Sequence, residues 1–158
     1  MGTSSEIYIR DAERADMDFI YQLIYELAVH EKRPEDFTAS KAHLAGLLFD
    51  RQVAKVRLAF LADQPLAYML YYPVVSTFSG HLNYYVEDLF VLPEGRGLGI
   101  GKKMLMSLKG EPGIEGLKWT CLMDNDEGLA FHHAIGGQQG IACYPFYMDW
   151  SDDDLAAD

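Results

Sequence analysis

The sequence lacks the marks of several protein classes. It has only two cysteines, Cys121 and Cys143, among 158 residues, and a single pair predicts neither a zinc ribbon nor a disulfide framework. We therefore expect reduced thiols, a cytoplasmic location and no metal centre. Basic residues are also scarce, because 13 Lys and Arg stand against 24 Asp and Glu, for a formal net charge of −11. Nucleic acid or an acidic membrane would be repelled overall, so a cationic partner is favoured.

Long hydrophobic runs are absent as well. Residues 64–86 contain no Asp, Glu, Lys or Arg, but prolines and polar residues interrupt them, so they do not predict a membrane-spanning helix. The N-terminus has no basic region followed by an apolar stretch, and we expect no signal peptide. The length suits one domain. We predict an N-terminal extension over 1–5, one domain over 6–150 and an acidic tail over 151–158.

The apolar pattern predicts ten elements in the order β-α-α-β-β-β-α-β-α-β. Strands are expected at 7–9, 56–62, 66–74, 82–91, 117–123 and 144–148; helices are expected after the capping residues Asp16, Thr38 and Asp124 or Asn125, and over 102–108. Asp63, Gln64 and Pro65 are expected to turn the hairpin between the second and third strands. This order predicts an α/β or α+β fold, with a mixed sheet and helices on its faces.

A glycine-rich turn lies at 95–101, between a predicted strand and a predicted helix. A dinucleotide-binding fingerprint would need a glycine where Ile100 stands. A nucleotide-binding P-loop would need a glycine at Arg96 and a hydroxyl at Lys103. The pattern that remains is Arg-x-x-Gly-x-Gly, in which residues without side chains let backbone N–H groups approach an anion at the positive end of a helix. We expect a phosphate-bearing ligand at this turn.

Two consecutive carboxylates, Glu87 and Asp88, lie within the predicted strand 82–91. Strand alternation places them on opposite faces unless a bulge intervenes, so at most one would enter a given cleft. A pair that is solvated, or bound to a nearby arginine, is the alternative to a functional site. A cluster of four tyrosines, formed by Tyr71, Tyr72, Tyr84 and Tyr85, is expected chiefly to pack on neighbouring strands.

The turn Arg96 to Gly101 resembles the acyl-CoA pyrophosphate loop of the GCN5-related N-acetyltransferase (GNAT) superfamily. Within it, the segments 26–31 (ELAVHE), 85–91 (YVEDLFV) and 96–101 are most similar to the diamine, spermidine/spermine and thialysine acetyltransferase branch. The resemblance covers nearly all of 6–150. It implies a mixed, mostly antiparallel central sheet with helices on both faces, splayed at the strands that bind acyl-CoA.

The resemblance also implies roles for particular residues. Glu87 would deprotonate the amine, directly or through water, while Glu31 and Asp88 would line the site for a cationic substrate. Cofactor contacts would come from the main chain of Leu89, Phe90 and Val91, from the loop residues Arg96, Gly97, Leu98, Gly99, Ile100, Gly101 and Lys102, and from Asn125. A homodimer is implied by the same resemblance.

His132 departs from the family pattern, which usually has a tyrosine there as general acid. An imidazole with a pKa near ~6.5 can protonate a thiolate whose acid has a pKa of about 8.5, but it is shorter than a phenol. Either the site is rearranged, another phenol such as Tyr144 or Tyr147 substitutes, solvent supplies the proton, or His132 only packs. A second departure is the interrupted segment 110–116, where family members often continue the helix.

The resemblance thus implies an acetyl-CoA-dependent N-acetyltransferase. Its substrate would be a small cationic amine, a diamine, polyamine or lysine-like amino acid, attacking directly in a ternary complex. One alternative is an acyl-CoA-binding or sensor domain that lost catalysis with the change at His132. Another is a protein or peptide N-acetyltransferase acting on a basic tail.

Overall fold

The computed structural model describes residues 6–151, together with Asp153 and Ala156. The predicted extension 1–5 and most of the predicted acidic tail lie outside the described residues. The chain divides after Thr120 into two compact units. The first holds the sheet and the glycine-rich loop, and the second holds the segment with His132.

The first unit contains a five-stranded sheet in the order β1-β2-β3-β4-β5. Its elements are β1 (Ile7–Asp11), α1 (Met17–His30), α2 (Lys41–Ala45) with a π-helical turn (Gly46–Asp50), β2 (Lys55–Leu61), β3 (Gln64–Val75), β4 (Leu82–Val91), α3 (Ile100–Met106) and β5 (Gly116–Trp119). β1 to β4 pair antiparallel, and β5 joins β4 in parallel. The mixed, mostly antiparallel sheet is as expected.

Helices cover both faces of this sheet. On one face, Ile20 and Leu23 of α1 pack in a cluster with Leu58 of β2, Tyr68 of β3 and Phe90 of β4. Alternate residues point to the other face, where α3 contacts β2, β3 and β4. Ile100, Met104, Leu105 and Leu108, in α3 and just after it, are almost fully buried. The sheet is therefore buried on both faces, with β3 as its central strand.

Arg57 of β2 anchors the chain that follows α3. Its guanidinium donates to Ser107 O at 2.6 Å and Ser107 Oγ at 3.1 Å, and it pairs with Asp11 at 2.9 Å and with Glu111. The carbonyl end of a short helix is therefore satisfied by a cation. α3 ends at Met106, two residues before the predicted end of this helix.

Several predicted boundaries are wrong by a few residues. Ser40 rather than Thr38 caps α2, since Ser40 Oγ accepts from His43 N at 3.1 Å. Asp16 does sit before α1, but its carboxylate accepts from Arg10 and from Glu13 N, so it does not cap that helix. The β2–β3 turn lies at residues 62–63, because Gln64 already pairs with Leu61.

Among its described residues, the second unit contains α4 (Asp126–Ala134), which begins as predicted. The predicted strand 117–123 ends early, at Trp119. The predicted strand 144–148 is wrong, because residues 138–151 form neither helix nor strand. A strand needs a hydrogen-bonded partner, and no backbone hydrogen bond within the described residues involves 144–148. Tyr144, Phe146 and Tyr147 are accordingly 86%, 93% and 91% exposed.

Candidate active site

A β-bulge in β4 brings the two consecutive carboxylates to one face of the sheet. Leu70 pairs with Asp88 and Tyr71 with Val86, so Glu87 is an extra residue in β4. Asp88 faces the same side as its partner Leu70, which packs against the core beneath α1. The bulge that the sequence analysis allowed for is therefore present. The two carboxylates lie on one face of the sheet and not on opposite faces, as strand alternation alone would place them.

Two tyrosines of β3 donate hydrogen bonds to these carboxylates. The Tyr68 hydroxyl donates to Asp88 Oδ2, and the Tyr72 hydroxyl donates to Glu87 Oε2 at 2.9 Å. Tyr68 and Tyr72 are four residues apart in a regular stretch of β3 and therefore lie on one face. Because both tyrosines donate from that face, the two hydrogen bonds confirm that the bulge places the Glu87 and Asp88 carboxylates on the same side of the sheet.

Electrostatic interactions place Glu31 with this pair. Burial raises the pKa of Asp88, and the neighbouring charges of Glu87 and Glu31 raise it further, while the hydrogen bond from Tyr68 opposes them. Glu31 follows the last residue of α1. The negative charges of Glu31 and Glu87 thus both act on Asp88 and disfavour its ionised form. A bound cation would relieve this repulsion.

The edge of β4 opens at the same bulge. Its parallel pairing with β5 ends at Val86, opposite Trp119, whereas its pairing with β3 continues to Val91. Past the bulge, Leu89, Phe90 and Val91 therefore have a strand partner on one side alone within the described residues. Exposed strand edges offer backbone N–H and C=O groups to an extended ligand.

The loop after β4 has the conformation that its glycines predict. Gly97 and Gly99 adopt φ values of 79° and 74°, which L side chains rarely adopt. Gly95 is glycine for a different reason, since an added Cβ would lie 3.1 Å from Ile100 Cδ1 and from Val91 Cγ1. The loop can therefore turn sharply into α3 while packed against the sheet.

The start of α3 leaves backbone donors available. The first helical bond there runs from Lys103 N to Gly99 O at 3.1 Å, so the N–H groups of Ile100, Gly101 and Lys102 precede the intrahelical ladder. Leu98 is 48% exposed beside them. These groups fit an anionic ligand.

Basic side chains surround this loop in an otherwise acidic protein. Lys102 and Lys103 are exposed, and neither forms an ion pair within the part of the chain that the structure describes. Arg96 folds back so that its Nε donates to Val91 O at 3.2 Å, with its guanidinium 5.9 Å from the Phe90 ring centroid. A locally positive surface at this loop favours anions.

His132 and Asn125 belong to the second unit. The Asn125 side chain accepts from Gly128 N at 2.9 Å and caps α4. His132 is partly buried, with its ring 5.2 Å from that of Phe131. Burial lowers the pKa of His132, and the neighbouring His133 lowers it further. At neutral pH the ring is therefore mostly neutral.

Sequence reasoning missed the roles of two tyrosines. The cluster of four tyrosines packs as expected, with Tyr71 against Tyr84 at 4.8 Å and Tyr72 against Tyr85 at 5.5 Å. The sequence analysis did not predict that Tyr72 donates to Glu87, and it assigned no role to Tyr68. The sequence signal that could have indicated both bonds is a pair of tyrosines four residues apart in β3, a strand that neighbours the strand with two adjacent acidic residues.

Two kinds of feature are absent from the described part of the chain. No group of three or more His, Cys, Asp or Glu side chains there could hold a metal ion. No helix in the same residues is long and apolar enough to cross a membrane.

Comparison with known proteins identifies the class. The model of the acetyltransferase (GNAT) family matches residues 17–136, a range that contains the bulge, the loop and α4. The chain belongs to the GNAT family, and it is an N-acetyltransferase that transfers an acetyl group to an amine. The family uses acetyl-CoA as the acetyl donor.

Relatives support the branch to which the sequence is similar. A thialysine N-epsilon-acetyltransferase of Bos taurus is 31% identical over 157 residues, covering 89% of this chain and 92% of that protein. An L-ornithine N5-acetyltransferase of Arabidopsis thaliana is 22% identical, covering 82% of this chain and 78% of that protein. A solved structure of an aminoglycoside acetyltransferase from an uncultured soil metagenomic sample, in complex with sisomicin, shares the fold. Its TM-score is 0.76 at 21% identity, with 92% of this chain and 97% of that chain covered.

Proposed function

We propose that this enzyme acetylates a primary amine of a small cationic substrate, a diamine, polyamine or lysine-like amino acid, by direct attack in a ternary complex. The observation that carries the proposal is the pair of carboxylates, Glu87 and Asp88, that the β4 bulge brings to one face, with the charge of Glu31 acting on Asp88. Three interacting carboxylates favour a ligand with positive charge. The names of the thialysine and ornithine acetyltransferases support the same substrate class.

The residues at the open end of β4 fit acetyl-CoA. The free edge at Leu89, Phe90 and Val91 suits the amide groups of the pantetheine arm, and the loop from Arg96 to Lys102 suits the pyrophosphate. Asn125 is proposed to lie beside the cofactor. Acetyl-CoA supplies an acetyl group activated as a thioester.

Glu87 is proposed as the general base. Its carboxylate takes a proton from the substrate ammonium, so an N–H bond breaks, an O–H bond forms and the nitrogen lone pair becomes free to attack. Asp88 and Glu31 hold the positive charge of the substrate nearby. His132 is proposed to return a proton to the departing thiolate, and its lowered pKa makes the charged ring scarce at neutral pH.

The first experiment is calorimetric titration with acetyl-CoA, free CoA and NAD. Saturable binding of both CoA species but not of NAD is expected. An amine panel with detection of released thiol then follows, comprising thialysine, ornithine, spermidine, a neutral amine and a basic peptide. Binding without turnover on any amine would identify an acyl-CoA sensor, and preference for the peptide would identify a protein acetyltransferase.

A loop substitution with a matched control tests the cofactor assignment. Gly99→Val and Gly80→Val place the same side chain at glycines whose φ is 74° and whose added Cβ meets nothing within 4 Å. Gly99→Val should weaken acetyl-CoA binding about 10-fold or more, because it distorts the loop and narrows the approach to its N–H groups. Gly80→Val carries the same strain in the β3–β4 turn. Equal affinities in the two variants would refute the loop assignment.

We also propose a cytoplasmic homodimer. Apolar side chains as exposed as Phe146 and Tyr147 are commonly covered by a partner. Light scattering coupled to gel filtration measures the mass directly. A mass of 17.8 kDa, that of one chain, would contradict the dimer.

A further inference from the structure

Two hydrogen-bonded pairs of a tyrosine and a carboxylate lie at the bulge, and they differ in their exposure to solvent. Tyr68 is 0% exposed, and its partner Asp88 is partly buried. Tyr72 is partly buried, while its partner Glu87 is exposed. Tyr68 therefore holds a carboxylate that the fold already encloses. Tyr72 holds one that would otherwise move freely in solvent.

An exposed glutamate has several rotamers of similar energy, and fixing one of them costs side-chain entropy. Within the described residues, the Glu87 carboxylate accepts a hydrogen bond from the Tyr72 hydroxyl. Tyr72 is itself fixed, because its ring lies 5.5 Å from that of Tyr85 at an interplanar angle of 30°. The packed ring can therefore impose one orientation on the carboxylate.

Resting on the acetyl transfer proposed above, we propose that Tyr72 is the positioning residue of Glu87. Its hydroxyl binds Glu87 Oε2, which leaves Oε1 to receive the proton of the substrate ammonium, directly or through water. Tyr72 contacts Glu87, and it acts on the reaction through that residue.

The surrounding charges suit a donor that stays protonated. Burial raises the pKa of Tyr72 to about 12, and the hydrogen bond to Glu87 contributes in the same direction. Tyr85 and Asp88 of β4 also act on Tyr72, and Glu31 and Tyr68 act on Asp88. The Tyr72 hydroxyl therefore keeps its proton over the pH range in which an amine substrate would be assayed.

The test compares Tyr72→Phe with Tyr85→Phe. Each change removes one hydroxyl and keeps the ring, and the Tyr85 hydroxyl bonds to Thr120 Oγ1 at 3.4 Å, away from the carboxylates. In Tyr72→Phe, kcat should fall about 10-fold with little change in KM, as expected for losing one oriented hydrogen bond. Tyr85→Phe should keep the wild-type kcat and KM.

A second measurement does not depend on turnover. In protein labelled with carbon-13 at glutamate carboxyls, the Glu87 resonance is assigned by its loss in Glu87→Gln. Its chemical shift at neutral pH should change in Tyr72→Phe, which removes the hydrogen bond to the carboxylate, and should stay in place in Tyr85→Phe.

The outcomes separate the two proposals. Wild-type protein that acetylates no amine would refute the proposed function, and the positioning role with it. Active wild type, together with the wild-type kcat and the wild-type Glu87 chemical shift in both phenylalanine variants, would refute the positioning role alone. An increase confined to KM in Tyr72→Phe would also overturn it, because Tyr72 would then be contacting substrate.

Discussion

Glu87 and Asp88 are neighbours in sequence and share a face of the sheet, yet the fold treats them differently. Asp88 is partly buried, accepts a hydrogen bond from the buried Tyr68 and is subject to the negative charges of Glu31 and Glu87. Glu87 is exposed and bonded by Tyr72. Because of one bulged residue, β4 presents a partly buried carboxylate, Asp88, and a solvent-exposed carboxylate, Glu87, on the same face. Adjacent residues of one strand can therefore supply a charge that binds substrate and a base that accepts a proton.

The largest expected effect lies at the reachable carboxylate. Glu87→Gln keeps the shape and the bond from Tyr72 but cannot accept the substrate proton, so kcat should fall about 10²–10³-fold. Affinity for acetyl-CoA, measured by calorimetry, should not change. Turnover within twofold of the wild type would show that Glu87 is not the base. The difference in exposure between Glu87 and Asp88 would then not correspond to a difference in function.

The enclosed carboxylate should affect substrate binding more than chemistry. Asp88→Asn removes one negative charge while keeping an acceptor for Tyr68, so KM for a dicationic amine should rise about 10-fold. The loss should be smaller for a monocationic amine, which serves as the control substrate. An effect on kcat of the same size as that of Glu87→Gln would instead make the two carboxylates equivalent.

Asp88 also makes stability depend on pH. Its folded-state pKa is raised chiefly by burial, so its contribution to stability is full below the unfolded-state pKa and is lost as the pH rises through the folded-state pKa. Asp88→Asn should therefore increase the free energy of unfolding at pH 7, and the gain should vanish near pH ~3. Urea denaturation at the two pH values measures it. A gain that persists at low pH would show that burial of the charge is not its cause.

The smallest expected effects are at His132. His132→Ala should lower kcat by about threefold, because at neutral pH few rings carry the proton that the thiolate needs. His132→Tyr should preserve or raise kcat, since a phenol is the usual acid at this position in the family. Steady-state rates settle the matter. If neither variant differs from wild type, His132 has no part in the mechanism.

β4 can be predicted from the sequence because the residues that favour a strand lie within the strand itself. Five of its ten residues are aromatic or β-branched, namely Tyr84, Tyr85, Val86, Phe90 and Val91, and the observed strand spans the predicted residues. The bulge at Glu87 cannot be read in the same way, because it depends on how β4 pairs with β3. The strand predicted at 144–148 failed for the same reason, since alternation suggests a strand without providing its partner.

The candidate site follows the same division. The loop from Arg96 to Gly101 is encoded by glycine positions, and its positive φ values agree with the pattern. The bonds from Tyr68 and Tyr72 to the carboxylates connect residues 20 and 15 positions apart in sequence. They arise from cross-strand register, which a single sequence does not show.

The exposed aromatic segment near the C-terminus also affects how the protein behaves at high concentration. Tyr144, Phe146, Met148 and Trp150 alternate along it with 86%, 93%, 75% and 66% exposure, a pattern that favours intermolecular β pairing. Five aspartates within residues 149–158 act as charged gatekeepers against such pairing. Salt would screen this repulsion and acid would neutralise it, so we expect the protein to associate more readily at high ionic strength or low pH.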